Sequence, residues 1–153
     1  MDEAVQLTLL GRAALAALLG FVIGLEREYR GKSAGDRTFA LLAFGSAAIV
    51  AVGAELLGTS GTSRVIQGVV TGVGFIGGGL IFRSEGGGVR GLTTAAGAWA
   101  ATGIGVITGV GAYLAAALAA ALVVVILELD TLPLFRRIRE QTAAASAGDD
   151  PPG

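Results

Sequence analysis

The sequence contains no cysteine, no histidine and no asparagine, and only three of its 153 residues are proline. Without Cys and His the chain lacks disulfides, thiol nucleophiles, soft-metal ligands and imidazole acid–base groups. Its hydroxyl groups are scattered singly, so no nucleophile–base pair can be assembled from them. We therefore expect no enzymatic activity, no cofactor and no bound metal. The net charge of −1 also gives no basic surface for nucleic acid.

Charge is scarce as well, since 15% of the residues are charged and 53% are hydrophobic. A mean hydropathy of +0.73 is far above that of a soluble domain. Because about 20 apolar residues span a bilayer, the apolar runs predict an all-α bundle of five transmembrane helices. The last run, residues 92–129, is too long for one crossing, and we divide it at Gly109–Gly111. The expected spans are about residues 5–25, 38–57, 65–82, 92–108 and 112–129.

Basic residues predict the orientation of this bundle. Nine Lys and Arg residues lie in the first and third interhelical loops and in the C-terminal segment, whereas the other side has only Arg64. Short cytoplasmic loops collect Lys and Arg, so we expect the N-terminus outside and the C-terminus inside. We expect residues 1–140 to form the membrane domain, residues 141–153 to be a disordered cytoplasmic tail, and no soluble domain to follow.

Small residues mark the expected helix interfaces, because helices in lipid associate through close van der Waals contact. The third span is so rich in glycine that we expect it at the centre of the bundle. An alternative is that Gly77–Gly79 unwinds it into an ion-lining break. The expected packing positions are Gly20, Gly24, Gly68, Gly72, Gly74, Gly78, Gly97 and Gly105. Spare faces of this kind predict a homo-oligomer, most simply a dimer.

Two ionisable side chains fall within the spans and are candidates for function. Arg12 and Glu55 both lie in the outer half and lean toward each other, so we expect them to pair, with Gln67 nearby. Such a pair is either a structural clamp or a site for a proton, a cation or an outer ligand. With one well-embedded carboxylate, direct Mg²⁺ conduction by this chain alone has little support.

The expected cytoplasmic face carries more motifs. Asp36 is expected to cap the second span, and Thr93 or Thr94 to cap the fourth. Arg90, next to the start of the fourth span, makes an anion site possible; the alternative is that these residues are interface anchors and topology signals. Glu85–Gly88 is expected to form a hairpin or a lid. The candidate residues on this face are Glu26, Arg27, Arg37, Arg83, Arg90, Thr93 and Thr94.

Taken in order, several segments resemble the MgtC/SapB family of bacterial membrane proteins. They cover roughly residues 10–130 and comprise GFVIGLER (20–27), GDRT (35–38), GVGFIGGG (72–79), VRGLTTAA (89–96), Trp99 and GIG (103–105). Two positions depart from some members, since Thr93 stands where they have Asn and Ala100 where they have Cys. The virulence-associated member also has a C-terminal soluble domain, which we do not expect here.

The resemblance implies a small multi-pass protein of the inner (plasma) membrane, tied to growth in low Mg²⁺, acid stress and survival in phagocytes. It also implies Mg²⁺ transport, the family's usual assignment, and, for one member, binding to the membrane sector of ATP synthase. Two hypotheses follow. The first is a non-enzymatic protein that packs against itself or a partner membrane complex, and the second is a transporter or channel subunit for Mg²⁺ or another cation.

Overall fold

Five α-helices and one short antiparallel ribbon make up the part of the chain that the computed structural model describes, residues 1–83 and 88–129. This confirms the all-α fold class. Helices α1 and α2 are long and apolar enough to cross a membrane, and α5 is a shorter apolar helix. The elements are α1 (Glu3–Tyr29), α2 (Asp36–Leu56), α3 (Gly58–Gly79), β1 (Phe82–Arg83), β2 (Val89–Arg90), α4 (Leu92–Gly109) and α5 (Tyr113–Glu128).

Helix α2 lies at the centre of the bundle, with α1 and α4 packed along it. Its inward face is fully buried through Phe39, Ala43, Ala47 and Val50. Helix α3 contacts α2 and α4, and α5 contacts α4 and α1. An ordinary apolar core therefore forms among α1, α2 and α4.

Four of the predicted packing glycines lie at these close contacts. A Cβ built on Gly20 would stand 2.5 Å from the carbonyl oxygen of Phe39, and one on Gly24 would stand 2.5 Å from the Cα of Asp36. In α4, Gly97 faces the ring of Phe39, and Gly105 lies directly against Ser46. These glycines allow α1 and α4 to approach the backbone of α2.

The prediction that the third span is central is wrong. Helix α3 lies at the edge of the bundle, where only Thr62 and Val73 are buried. A Cβ on Gly68, Gly72, Gly74 or Gly78 would meet nothing within 4 Å. A glycine face offers little side-chain surface to bury, so the residues with methyl and larger side chains on α2 and α4 form the centre instead.

The boundaries of α3 also differ from those predicted. Leu57 alone separates α2 from α3, and the polar segment 58–64 is helical rather than a loop. The hydroxyls of Thr62 and Ser63 each donate to a carbonyl four residues earlier, which satisfies them within the helix. Arg64 thus lies in α3. The helix runs unbroken to Gly79, so Gly77–Gly79 forms its last turn rather than a break.

Two further predictions concern the ribbon and the C-terminal segment: a hairpin or lid at Glu85–Gly88 and a disordered tail at 141–153. Strands β1 and β2 pair antiparallel, Phe82 with Arg90 and Arg83 with Val89, so a hairpin-like pairing joins α3 to α4. Its tip, residues 84–87, lies outside the described residues, as do the segment 130–140 and the expected tail 141–153.

Much of the outer surface is apolar. Leucines on three helices are more than 60% exposed, among them Leu7, Leu18, Leu41, Leu114 and Leu118. Exposed large apolar side chains in this number are typical of helix surfaces in contact with lipid and not of a soluble monomer.

Candidate functional site

Five helix termini lie at one end of the bundle: the C-termini of α1, α3 and α5 and the N-termini of α2 and α4. We call this region the charged end and define it by Glu26, Arg27, Arg30, Lys32 and Glu128. Arg27 pairs with Glu26 through Nε and Nη2. Arg30 Nε donates to Glu26 Oε1 over 2.7 Å, and Arg30 Nη2 donates to Glu128 Oε2 over 2.6 Å. The network ties α1 to the end of α5.

Burial makes Arg27 the unusual member of this network. Its side chain is only 2% exposed and that of Glu26 is 7% exposed. A buried guanidinium is tolerated only when it is paired and hydrogen-bonded, which the adjacent carboxylate achieves. Removing Glu26 would leave the buried charge of Arg27 uncompensated, whereas removing Arg27 would leave Glu26 paired with Arg30.

The charge state of Arg30 is secured by its neighbours. Desolvation lowers the pKa of Arg30, but the carboxylates of Glu128 and Glu26 outweigh it and raise the pKa above its ordinary value. Arg30 therefore stays positively charged at any physiological pH.

A tight turn after α1 returns the chain to this network. Gly31 has φ +60°, a conformation that favours glycine. Its amide donates to the carbonyl of Glu28 over 2.9 Å, and the amide of Lys32 donates to the carbonyl of Arg27 over 3.0 Å. This Schellman-type ending of the helix brings Lys32 back beside Arg27.

The start of α4 forms the facing wall. Gly91 precedes the helix with φ +89°, and a Cβ there would collide with the carbonyl oxygen of Leu80. The prediction that Thr93 or Thr94 caps α4 is wrong, because the cap position is Gly91 and no side chain caps the helix. Its left-handed backbone brings the helix start against the end of α3.

Asp36 likewise does not cap α2. The cap position is Gly35, Asp36 is the first helical residue, and Asp36 Oδ1 accepts from the amide of Arg37 over 2.6 Å. An N-cap residue lies just outside the helix. Because α2 begins one residue earlier than predicted, Asp36 lies inside the helix and cannot be its cap.

A cavity of about 320 Å³ lies between the turn after α1 and the start of α4. Three basic side chains line it, those of Arg27, Arg30 and Lys32, together with Thr93 and Thr94. Its remaining lining residues are Val89, Gly91, Leu92 and Leu127. The cavity therefore combines positive charge, two hydroxyls and a helix N-terminus.

The predicted face is brought together only in part. Glu26, Arg27, Thr93 and Thr94 lie in or beside this cavity, whereas three arginines are exposed and do not line it: Arg37, Arg83 and Arg90. From the sequence alone, Arg30 and Lys32 indicate only the orientation of the bundle. The spacing of Arg30 four residues after Glu26 was the signal that could have indicated their pairing.

The comparison with known proteins identifies the family. The sequence profile described as MgtC family matches residues 13–132. The chain belongs to the MgtC family. The region matched by the MgtC profile contains every residue that lines the cavity at the charged end.

Several curated proteins are similar to this MgtC-family chain. Protein MgtC of Brucella abortus (strain 2308) is 42% identical over 111 residues, which cover 72% of this chain and 46% of the relative. Protein MgtC of Salmonella typhi is 39% identical over 132 residues, covering 86% and 56%. Protein SrpB of Synechococcus elongatus is 44% identical over 115 residues, covering 67% and 63%. The chain spans about half the length of the MgtC proteins it matches. No solved structure matches it.

At the opposite end of this MgtC-family bundle, Arg12 ties α1 to the turn between α4 and α5. Arg12 Nη1 donates to the carbonyl oxygen of Gly109 over 3.0 Å, and Nε donates to the hydroxyl of Tyr113 over 3.2 Å. Arg12 and Glu55 also line a common cavity of about 170 Å³.

The predicted ion pair between Arg12 and Glu55 does not form in the part of the chain that the structure describes. Each ion pair found there joins Arg27 or Arg30 to Glu26 or Glu128. The end of α4 lies closer to Arg12 and offers a backbone carbonyl in its last turn, which takes the guanidinium instead. Gln67 is exposed on α3 and does not line this cavity.

Carboxylates are also dispersed over the described residues. Across residues 1–83 and 88–129, no three acidic side chains come close enough together to hold a metal ion.

Proposed function

We propose that this chain is a non-enzymatic, multi-pass protein of the bacterial inner membrane that serves Mg²⁺ homeostasis and adaptation to low Mg²⁺ or acid stress. The observation that carries the proposal is the match to the MgtC family over residues 13–132, together with relatives of that name at about 40% identity. The apolar outer surface and the two long apolar helices support the membrane location.

The proposed topology has five crossings, with the N-terminus outside and the C-terminus inside. Helices of 16 to 27 residues are about 24–40 Å long, and the hydrocarbon core is about 30 Å thick. Basic residues support the orientation, because those at the end of α1, at the start of α2 and in the ribbon lie at one end of the bundle. They are Arg27, Arg30, Lys32, Arg37, Arg83 and Arg90.

The proposed mode of action is association between helices. Helix α3 supports it, because a Cβ on Gly68, Gly72 or Gly74 would meet nothing within 4 Å, and Gly68 and Gly72 line an open groove of about 520 Å³ between α3 and α2. Close approach of a second backbone at such a face is the usual mode of contact between membrane helices. We propose a second copy of the chain as the first partner, and by resemblance the membrane sector of ATP synthase as another.

A pair of matched variants tests this mode of action. Gly72→Leu fills the open face of α3, whereas Gly11→Leu adds the same side chain to α1, where a Cβ also meets nothing. Cross-linking in mild detergent should yield a dimer for the wild type and Gly11→Leu, and monomer for Gly72→Leu. A dimer that survives Gly72→Leu would contradict the role of α3.

Growth tests the physiological role. A strain that lacks the gene should grow more slowly than its parent in limiting Mg²⁺, with altered intracellular Mg²⁺ or ATP. The wild-type gene and Gly11→Leu should restore growth, and Gly72→Leu should not. Equal growth and equal Mg²⁺ and ATP in both strains would contradict the proposal.

A second candidate function is a transporter or channel subunit for Mg²⁺ or another cation. One observation favours it: Glu55 lines the cavity beside Arg12, and among the described residues its carboxylate has no hydrogen-bond or ion-pair partner. Purified protein in liposomes distinguishes the two functions. Mg²⁺ flux abolished by Glu55→Gln would favour transport, and absence of flux would favour helix association.

A further inference from the structure

We propose that the cavity at the charged end binds a phosphate group, carried either by a small soluble phosphate compound or by the headgroup of an anionic phospholipid. The proposal does not depend on the role in Mg²⁺ homeostasis. It rests on the convergence of three cations, an uncapped helix N-terminus and an unpartnered buried hydroxyl in one cavity of about 320 Å³.

The charges that line the cavity all have one sign. Arg27, Arg30 and Lys32 line it, and neither Glu26 nor Glu128 does. The two carboxylates neutralise part of the guanidinium charge, which leaves a net charge of one positive unit among these five groups. An anion is therefore favoured over a divalent cation, and Arg and Lys are the usual partners of phosphate oxygens.

The first turn of α4 adds donors of hydrogen bonds. No described residue accepts from the amides of Leu92, Thr93 and Thr94, and the first bonded amide is that of Ala95, which donates to the carbonyl of Gly91 over 2.8 Å. Free amides and the positive end of the helix dipole are how helix N-termini bind phosphate.

The second and independent observation is Thr94. The residue is 3% exposed, and its hydroxyl makes no hydrogen bond to any described residue. The hydroxyls of Thr102 and Thr108 in the same helix instead donate to carbonyls four residues earlier. In the described region, every side-chain oxygen that is inaccessible to solvent has a hydrogen-bond partner. The Thr94 hydroxyl has none, so it must be accessible to solvent, and the cavity that Thr94 lines provides that access.

The Thr94 hydroxyl separates this proposal from a purely anchoring role. Anchors at a membrane interface need exposed positive charge, and they need neither a buried guanidinium nor an unpartnered buried hydroxyl. The apolar residues Leu92 and Leu127 on the cavity wall fit the organic part of a phosphate ester.

Two site variants and two control variants test the proposal in the full-length chain. Thr94→Val removes the hydroxyl at nearly constant volume, and Lys32→Gln removes one exposed cation. Thr62→Val and Arg64→Gln make the same changes in α3, away from the cavity. Circular dichroism and gel filtration check that each variant folds, and the exposed position of Lys32 keeps one site variant usable if Thr94→Val does not fold.

The experiment has a soluble arm and a lipid arm. In the first, inorganic phosphate and glycerol 3-phosphate are titrated calorimetrically into the detergent-solubilised protein. In the second, native mass spectrometry compares retention of phosphatidylglycerol and phosphatidylcholine from mixed nanodiscs. We expect binding in one arm, weakened about tenfold by Lys32→Gln and about fivefold by Thr94→Val, and unchanged in Thr62→Val and Arg64→Gln.

The arm in which binding occurs identifies the source of the phosphate group. Titratable binding of the soluble probes assigns a small phosphate compound, and selective retention of phosphatidylglycerol assigns a lipid headgroup. Absence of binding in both arms, or binding that the site variants and the controls affect equally, would overturn the proposal.

Discussion

Arg12 shows how one residue can be recognised as important while its partner is misassigned. An arginine in an apolar span must find partners, and its sequence position predicts this correctly. Whether Arg12 binds Glu55 or a backbone carbonyl depends on where the end of α4 lies. The sequence of the first span does not specify that position. The guanidinium binds Gly109 and Tyr113 instead.

Double-mutant cycles measure this difference. We expect Arg12→Gln and Tyr113→Phe to be coupled by about 0.6–1.7 kcal/mol, which runs from the average to the maximum found for interhelical hydrogen bonds in membranes. Arg12→Gln and Glu55→Gln should be coupled by less than about half of that. Unfolding in mixed detergent micelles measures both coupling energies. A larger coupling of Arg12 with Glu55 than with Tyr113 would support the ion pair predicted from the sequence and contradict the observed contacts.

Two glycines of α4 allow the effect of tight packing on stability to be distinguished from the effect of intrinsic helix propensity. Gly105 lies against the hydroxyl of Ser46 and the backbone of α2, whereas a Cβ on Gly103 meets nothing within 4 Å. Gly105→Ala should therefore lower the free energy of unfolding by about 1–3 kcal/mol, as overpacking does. Gly103→Ala should leave it unchanged or raise it by up to about 1 kcal/mol. Equal effects in the same unfolding assay would contradict the close approach of α4 to α2.

At the scale of the element, the junction between the ribbon and α4 depends on Gly91. Its φ of +89° and the nearby carbonyl of Leu80 exclude a side chain there. Gly91→Ala should lower the free energy of unfolding by more than the roughly 1–2 kcal/mol that left-handed backbone strain alone costs. Gly31→Ala, where φ is +60° and space is open, should cost only that strain. Thermal unfolding of both variants checks the order, and a smaller loss for Gly91→Ala would be inconsistent with the contact.

Four of the five helices could be predicted from apolar runs, with ends displaced by up to four residues. For α1, α2, α4 and α5 the apolar run and the helix nearly coincide. Helix α3 differs, because its first two turns are polar and bond their hydroxyls internally. Its place at the edge could not be predicted, because small residues indicate close contact without indicating whether the partner belongs to the same chain.

The candidate site was predictable only as a set of motifs near one end. Glu26, Arg27, Thr93 and Thr94 belong to motifs that the sequence displays, and α1 and α4 bring them together. The cavity itself depends on the left-handed backbone at Gly31 and Gly91. These two residues determine where Lys32 and the start of α4 lie relative to Arg27. Those are tertiary features, and residue spacing along a helix does not specify them.

At the scale of the whole molecule, a membrane-spanning bundle must have the two ends of α2 on opposite sides of the bilayer. The 21 residues of this helix are enough to cross it, and the described basic side chains gather mainly at its N-terminal end. A bundle lying within the interface would expose both ends to the same compartment.

Because the chain has no native cysteine, labelling of single cysteines tests this arrangement directly. Ser33→Cys lies before α2 and Ser60→Cys lies just after it, and both positions are exposed. In intact cells an impermeant maleimide should label Ser60→Cys, and it should reach Ser33→Cys only after the inner membrane is permeabilised. Labelling of both variants, or of Ser33→Cys alone, in intact cells would contradict the membrane-spanning bundle with its charged end in the cytosol.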